Sequence, residues 1–412
     1  MLQVFRSVTA PLLSIALLTL GSGFFVSFQS LYLQTLGYSN NIIGLVHSAY
    51  YAGLLFGTFK VEHFIQRVGH IRAMSTFASM CAIMILLQAL NHDPFIWVLL
   101  RFVVGYSLAG IFVVIESWFL DKGTETTRGQ LLSLYMVAFY SAQAFGQYFL
   151  DLYPVNSLQP FIIASLLCCS GVIPVAMTKS KSPEIHEPEV KRVGEVMVES
   201  PFGFIGCIIS GLILSSIYSF GPNFAQLHEI SPSVLMSVII MGGVLLQIPM
   251  GRLSDVFDRR SVLVVLAVLT IPPSLMIPYV LDNEPLLLLT AFILGGLSFT
   301  LYPLSVTQAC DRIHSKELTS VTATLLMAFG VGSVLGPLIT PYFMSFYGSG
   351  GLFYYVALMS GLLVVVGFAS SYLIPRVPVS QQNEFVPLPR SSPIVYDLDP
   401  RIEQDNSSSS RD

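Results

Sequence analysis

The chain has 412 residues, of which 53% are hydrophobic and only 11% charged, with a mean hydropathy of +0.71. A soluble protein carries about 25% charged residues, so this chain cannot cover a soluble surface with its own side chains. The net charge of −4 says little by its sum, but no stretch resembles a basic nucleic-acid surface, and the five cysteines (Cys81, Cys168, Cys169, Cys207 and Cys310) show no zinc-ligand spacing and read as apolar packing residues.

Taken in order, the chain opens with Arg6 and an apolar run from Pro11. The run is too long for a signal peptide and no small-residue cleavage site follows it, so an uncleaved first span is expected. Twelve spans are predicted: 11–33, 42–61, 73–90, 95–119, 130–150, 158–177, 202–224, 233–250, 262–281, 286–309, 319–345 and 352–374. They are long and continuously apolar, which fits helices and not the short alternating strands of a barrel. The stretch from Thr178 to Ser200 is polar, mixed in charge and broken by prolines, and reads as a linker between two six-helix bundles, 1–177 and 201–374. The segment 375–412, rich in Pro, Ser and Asn, is expected to be a disordered tail, with partner binding as the alternative.

Basic residues set the orientation. With the N-terminus inside, every Lys and Arg except Arg101 falls in an inner segment, and the outer loops carry Asp93, Asp151, Glu229, Asp282 and Glu284 instead. Both termini are therefore expected in the cytoplasm.

One stretch occurs twice. RFVVGYSLAGIFVVIESWFLDK (Arg101–Lys122) superposes without a gap on AFILGGLSFTLYPLSVTQACDR (Ala291–Arg312). Phe102 falls on Phe292, Gly105 on Gly295, Asp121 on Asp311 and Gly146 on Gly336, an offset of about 190 residues. Duplicated halves around a central cavity are a common plan of secondary transporters.

The loop GRLSDVFDRR (Gly251–Arg260) resembles the signature loop of the major facilitator superfamily, matched at Gly251, Leu253, Asp255, Arg259 and Arg260; Val256 and Asp258 depart from the pattern. The resemblance implies an all-α integral membrane protein with twelve transmembrane helices in two pseudo-symmetric six-helix bundles. It also implies that this loop is a charge-paired latch between access states, with the glycine letting helices approach and Asp255 sitting at a neighbouring helix N-terminus. The first-half copy, EHFIQRVGHIR, keeps Arg67 and Gly69 but has Gln66 and Glu62 where the family has aspartate and glycine. RFVVG resembles the family's fourth-helix motif, which implies a coupling or substrate role for Arg101. VVIESWF, CIISGLILSS and FTLYPLSVTQAC look most like the YcaD-like bacterial inner-membrane proteins. The resemblance places the chain in a bacterial inner membrane; a membrane enzyme would need convergent His, Asp, Ser or Cys residues at one depth, and the spans contain almost none, so no catalysis is expected.

Several polar residues lie within the spans. Arg101 is costly in a membrane and should face protein or water, unless it reaches outward to the interface. Glu116 lies on the same helix, about 22 Å further along, too far to pair with it; it either holds a proton or sits among headgroups. His47 is either a packing residue or a proton carrier. Tyr140, Gln143 and Gln147 share one helix face. With Gln29, Tyr32, Tyr218, Asn223 and Tyr302 they suggest a cavity of aromatics and amides with one arginine, suited to a neutral, amphipathic or weakly anionic solute. The expectation is solute transport by alternating access, either proton-coupled or by facilitated diffusion, with a transporter-like sensor or scaffold as the alternative class. The expected partners are a small-molecule substrate, membrane lipids and, if coupled, protons, with no cofactor, metal or nucleic acid, for a chain acting as a monomer.

Overall fold

A computed structural model describes residues 2–122, 127–178, 191–313, 317–373, 375–394 and 399. Fifteen α-helices account for most of them: α1 (Leu2–Thr35), α2 (Asn40–Thr58), α3 (Val61–Val68), α4 (His70–Leu90), α5 (Pro94–Lys122), α6 (Arg128–Gly146), α7 (Gln159–Ser170), α8 (Ile173–Ala176), α9 (Val193–Glu199), α10 (Pro201–Leu227), α11 (Pro232–Val256), α12 (Arg259–Met276), α13 (Glu284–Cys310), α14 (Leu318–Tyr347) and α15 (Gly351–Leu373).

Side chains and prolines at the helix starts explain several boundaries. Asp93 accepts from the N–H of Phe95, and Ser231, Asp258 and Asn283 cap α11, α12 and α13 in the same way. Prolines occupy the first positions of α7, α10, α11 and α13, where a missing N–H costs nothing. Gly69 ends α3 and Gly348 ends α14, both at positive φ.

Each predicted span overlaps helix, and 158–177 is divided between α7 and α8. Among the described residues, nine helical segments are long and apolar enough to cross a membrane, or ten if the α2–α3 pair, bent by 54°, counts as one span. One of the nine, Leu318–Tyr372, contains two helices, α14 and α15, separated by the turn at Gly348–Gly350. Helix α6 is not among them; Gln130, Tyr135, Tyr140 and Gln143 lower its apolarity.

The chain forms two compact units. Unit 1 holds Met1–Gly37, Leu45–Glu189 and Leu388–Asp412; unit 2 holds Tyr38–Gly44 and Val190–Pro387. Within unit 1, α1 packs on α6 and α7, and α4 on α5 and α7; within unit 2, α10 packs on α14 and α15, and α12 on α13 and α15. The repeat read from the sequence is visible in backbone contacts. A Cβ on Gly53 would overlap the carbonyl of Phe102, and one on Gly105 the carbonyl of Tyr50. In unit 2 a Cβ on Gly242 would overlap the carbonyl of Phe292, and one on Gly295 that of Ile239. The two halves thus share a matching crossing in which two helix backbones touch, and only glycine fits there.

The tail departs from expectation over residues 375–394. These residues run largely without helix, yet Val386, Leu388, Ser391, Ser392 and Ile394 are buried. Composition predicts disorder because such a segment cannot bury a core of its own; here it is buried against the units. Residues 400–412 lie outside the described residues, as do Lys179, Lys181 and Lys316 and most of the predicted linker. Where the linker re-emerges, Lys191 bonds Glu199 at 2.9 Å and Glu317 at 2.7 Å, and these bonds raise its pKa above the usual lysine value.

Candidate functional site

Three buried polar clusters stand out, two in unit 1 and one in unit 2. The first surrounds Arg101 on α5, which is 1% exposed, so it does not reach outward to the interface. Its guanidinium lies over the Tyr50 ring at 4.2 Å from the centroid and 5.7 Å from that of Phe25. Cation–π contact offsets part of the desolvation, but Nε and Nη2 have no hydrogen-bond partner among the described residues. Ser22, Val26, Cys81, Ile85 and Cys168 complete the walls of a small cavity with room for about one water molecule. The two thiols there lie 3.7 Å apart. One turn before Tyr50 on α2, His47 is buried, with Nε2 2.6 Å from Ser30 Oγ and Nδ1 unpartnered among the described residues.

The second cluster centres on Glu116, 15 residues further along α5 and fully buried, so it does not sit among headgroups. The Tyr135 hydroxyl donates to Glu116 Oε1 at 2.5 Å, and Ser392 Oγ donates to Oε2. Ser391 Oγ is 3.1 Å from the Tyr135 hydroxyl; with the phenol proton committed to Glu116, the serine is the donor in that pair.

The third cluster is the loop between α11 and α12. Arg259 is 1% exposed and uses most of its donor fork. Nη1 bonds both oxygens of Asp311 at 2.6 and 2.7 Å, Nη2 bonds Asp255 at 2.9 Å and the Asn383 carbonyl at 2.5 Å, and Nε bonds Ser254 Oγ at 3.3 Å. Arg260 donates to the carbonyls of Ser370 and Pro375. Two roles differ from expectation. Asp255 pairs with Arg259, while Asp258 caps α12 through the N–H of Ser261 at 3.0 Å. Gly251 makes room not for a helix but for the Phe385 ring of the tail. Next to it, burial pushes the Arg312 pKa below the usual arginine value, partly offset by Asp311.

In the unit 1 copy, Arg67 is exposed in the last turn of α3, where a cation favours the helix C-terminus, and Gly69 takes φ +86° between α3 and α4.

The remaining candidates scatter. Gln29 donates to Gln88 at 2.8 Å. Tyr32 stacks on Trp97 at 5.7 Å and 1°, within a cluster that includes Phe28 and Phe161, so it is a core residue of unit 1. Tyr140 is buried against Phe139. Gln143 packs on Gly23, and Gln147 donates to the Gly23 carbonyl at 3.1 Å. Tyr218 lies 6.1 Å from Phe299, and Tyr302 is buried 4.7 Å from Phe329. Asn223, on α10, is 1% exposed, and neither its Oδ1 nor its Nδ2 has a partner among the described residues. No group of His, Cys, Asp or Glu among the described residues is arranged to hold a metal ion.

A sequence profile of the Major Facilitator Superfamily matches residues 12–244 and again 204–396. The chain belongs to this superfamily. The two matches start at residues 12 and 204, close to the spacing of the internal repeat. The chain is 30% identical over 370 residues to the MFS-type transporter YcaD of Escherichia coli O17:K52:H18 (strain UMN026 / ExPEC), covering 88% of this chain and 95% of that one. It is 31% identical over 350 residues to an MFS-type transporter of Yersinia pestis (strain Pestoides F), covering 83% and 88%. Two solved structures share the fold. The nucleoside transporter NupG superposes with a TM-score of 0.71 at 16% identity, over 88% of this chain and 97% of that one. A bacterial homologue of the human lysosomal transporter Spinster, inward-facing and occupied, gives 0.72 at 15%, over 92% and 98%.

As a major facilitator protein, the chain is a multi-pass membrane transporter. Sequence reasoning missed Gln88, Ser391, Ser392, Asn383 and Phe385 as partners of the polar clusters. No spacing rule links them to Gln29, Glu116 or Asp255, because the pairs are formed by packing between segments distant in sequence.

Proposed function

We propose that this chain carries a small solute across the bacterial inner membrane by alternating access, with both termini in the cytoplasm. Asn223 carries the reading. An amide buried in a span with two unpartnered atoms costs about 1–3 kcal/mol for each lost bond, and a transporter recovers that cost when a polar solute or its water enters. The unpartnered Arg101 nitrogens and Gln29 Oε1 support the same view. Amides, aromatics and a single guanidinium favour a neutral or weakly anionic amphipathic solute. The placement of Lys and Arg in inner segments supports the orientation.

The test is a thermal-shift screen of metabolites on the purified protein, repeated on Asn223→Ala and Arg101→Ala. A ligand at a hundredfold excess over its Kd stabilises by about 2.7 kcal/mol. Stabilisation by a compound in the parent, lost in either variant, supports the reading. Ligands that bind all three proteins equally would contradict it.

Proton coupling is favoured over facilitated diffusion by His47, whose Nδ1 is unpartnered in the same unit as Arg101. His47→Gln should make uptake into proteoliposomes insensitive to a pH gradient while leaving downhill flux intact. An unchanged gradient response would favour facilitated diffusion.

A further inference from the structure

Glu116 shares its hydrogen bonds between Tyr135 on α6 and the serines of the C-terminal tail. Ser392 binds Oε2, and Ser391 binds the tyrosine that holds Oε1. The tail segment is well suited to dock and leave. Its sequence, Leu-Pro-Arg-Ser-Ser-Pro-Ile from Leu388 to Ile394, contains two prolines and follows Pro387. Proline restricts the free chain, so little backbone entropy is lost on docking. Leu388 and Ile394 are buried at either end, 0% and 5% exposed, with the two serines between them. The tether is equally specific. In unit 2 the N–H of Asn383 bonds Asp311 at 2.9 Å and the N–H of Phe385 bonds Asp255 at 2.8 Å.

We propose that Leu388–Ile394 is a displaceable lid on unit 1 that occupies the Glu116 carboxylate. While it is docked, Ser392 satisfies Oε2 and the apolar ends of the segment exclude water. When it leaves, Glu116 keeps only Tyr135 and becomes open to water, cations or a substrate group. The lid is an autoinhibitory contact: the carboxylate is available only when the tail releases it. This inference stands whether or not the transporter is proton-coupled.

The test uses the full chain carrying Ile394→Cys, with and without Ser391→Ala and Ser392→Ala. Maleimide labelling at position 394 and carbodiimide modification of Glu116 are both mapped by mass spectrometry. Buried Cys207 in unit 2 reports on intact folding. With intact serines both sites should react slowly. Loss of the serine hydrogen bonds to Glu116 and Tyr135 should raise both rates about ten- to a hundredfold, with Cys207 still unlabelled. Tyr135→Phe removes one Glu116 donor and the Ser391 contact but leaves Ser392 in place, and should raise Glu116 reactivity by a smaller factor. Labelling at position 394 as fast in the folded parent as in denaturant would overturn the lid. Serine substitution that leaves both rates unchanged would do the same, as would release of position 394 with no change at Glu116.

Discussion

The loop between α11 and α12 and the one between α3 and α4 occupy corresponding places in the two copies of the repeat. The helix crossings beside them still match, with Gly53 and Gly105 against backbone in one half and Gly242 and Gly295 in the other. Their charges do not. Arg259 of the second loop is buried among Asp311, Asp255 and the Asn383 carbonyl. At the repeat offset its place in the first loop is taken by His70, buried with Nε2 unpartnered among the described residues. Gln66 stands for Asp255, and Asp121, exposed, stands for Asp311. Backbone-to-backbone contact permits one residue type, so both halves retain glycine there. The loop of unit 2 has built its network around Arg259 and includes the tail in it.

The largest difference between the two loops should appear at the aspartates. Asp311→Ala leaves Arg259 buried without its main partner and should cost about 3–5 kcal/mol, seen as a lower thermal unfolding midpoint. Asp121→Ala, at an exposed position, should cost clearly less than Asp311→Ala, about 1 kcal/mol or below. Equal losses would break the comparison. Next come the crossings, where the halves should agree: Gly53→Ala and Gly242→Ala should each destabilise by about 1–3 kcal/mol through overpacking. A large effect in one half alone would show that the duplicated crossing no longer serves both. Phe385→Ala vacates the space over Gly251 and should cost about 1 kcal/mol at a half-exposed site, with faster proteolysis of residues 376–387 as the direct readout. The smallest effect is expected for Arg67→Gln, within about 0.5 kcal/mol; a larger loss would mean that the first loop also works as a latch.

Much of this was legible before any coordinates. The continuous apolar runs required helices, since lipid offers backbone groups no partner. The offset near 190 predicted matching crossings, and GRLSDVFDRR marked the loop that holds Arg259. Tyr32 shows where such reading misleads: a tyrosine at a predicted cavity position is a stacked core residue on Trp97. The tail shows another limit. Pro, Ser and Asn signal disorder only for a segment left to itself, and residues 388–394 borrow their burial from unit 1.

The sequence by itself determined the apolar helices and the charged loop, because each follows from local periodicity, solvent and residue type; the duplication showed in the matched stretches, and the family in the resemblance of GRLSDVFDRR. Only the tertiary structure decided which groups meet. It set Arg101 over Tyr50, Asp311 under Arg259, and Ser392 on Glu116, 276 positions away. Such pairs are chosen by how helices and the tail pack in three dimensions, and no rule of spacing along a chain encodes that choice.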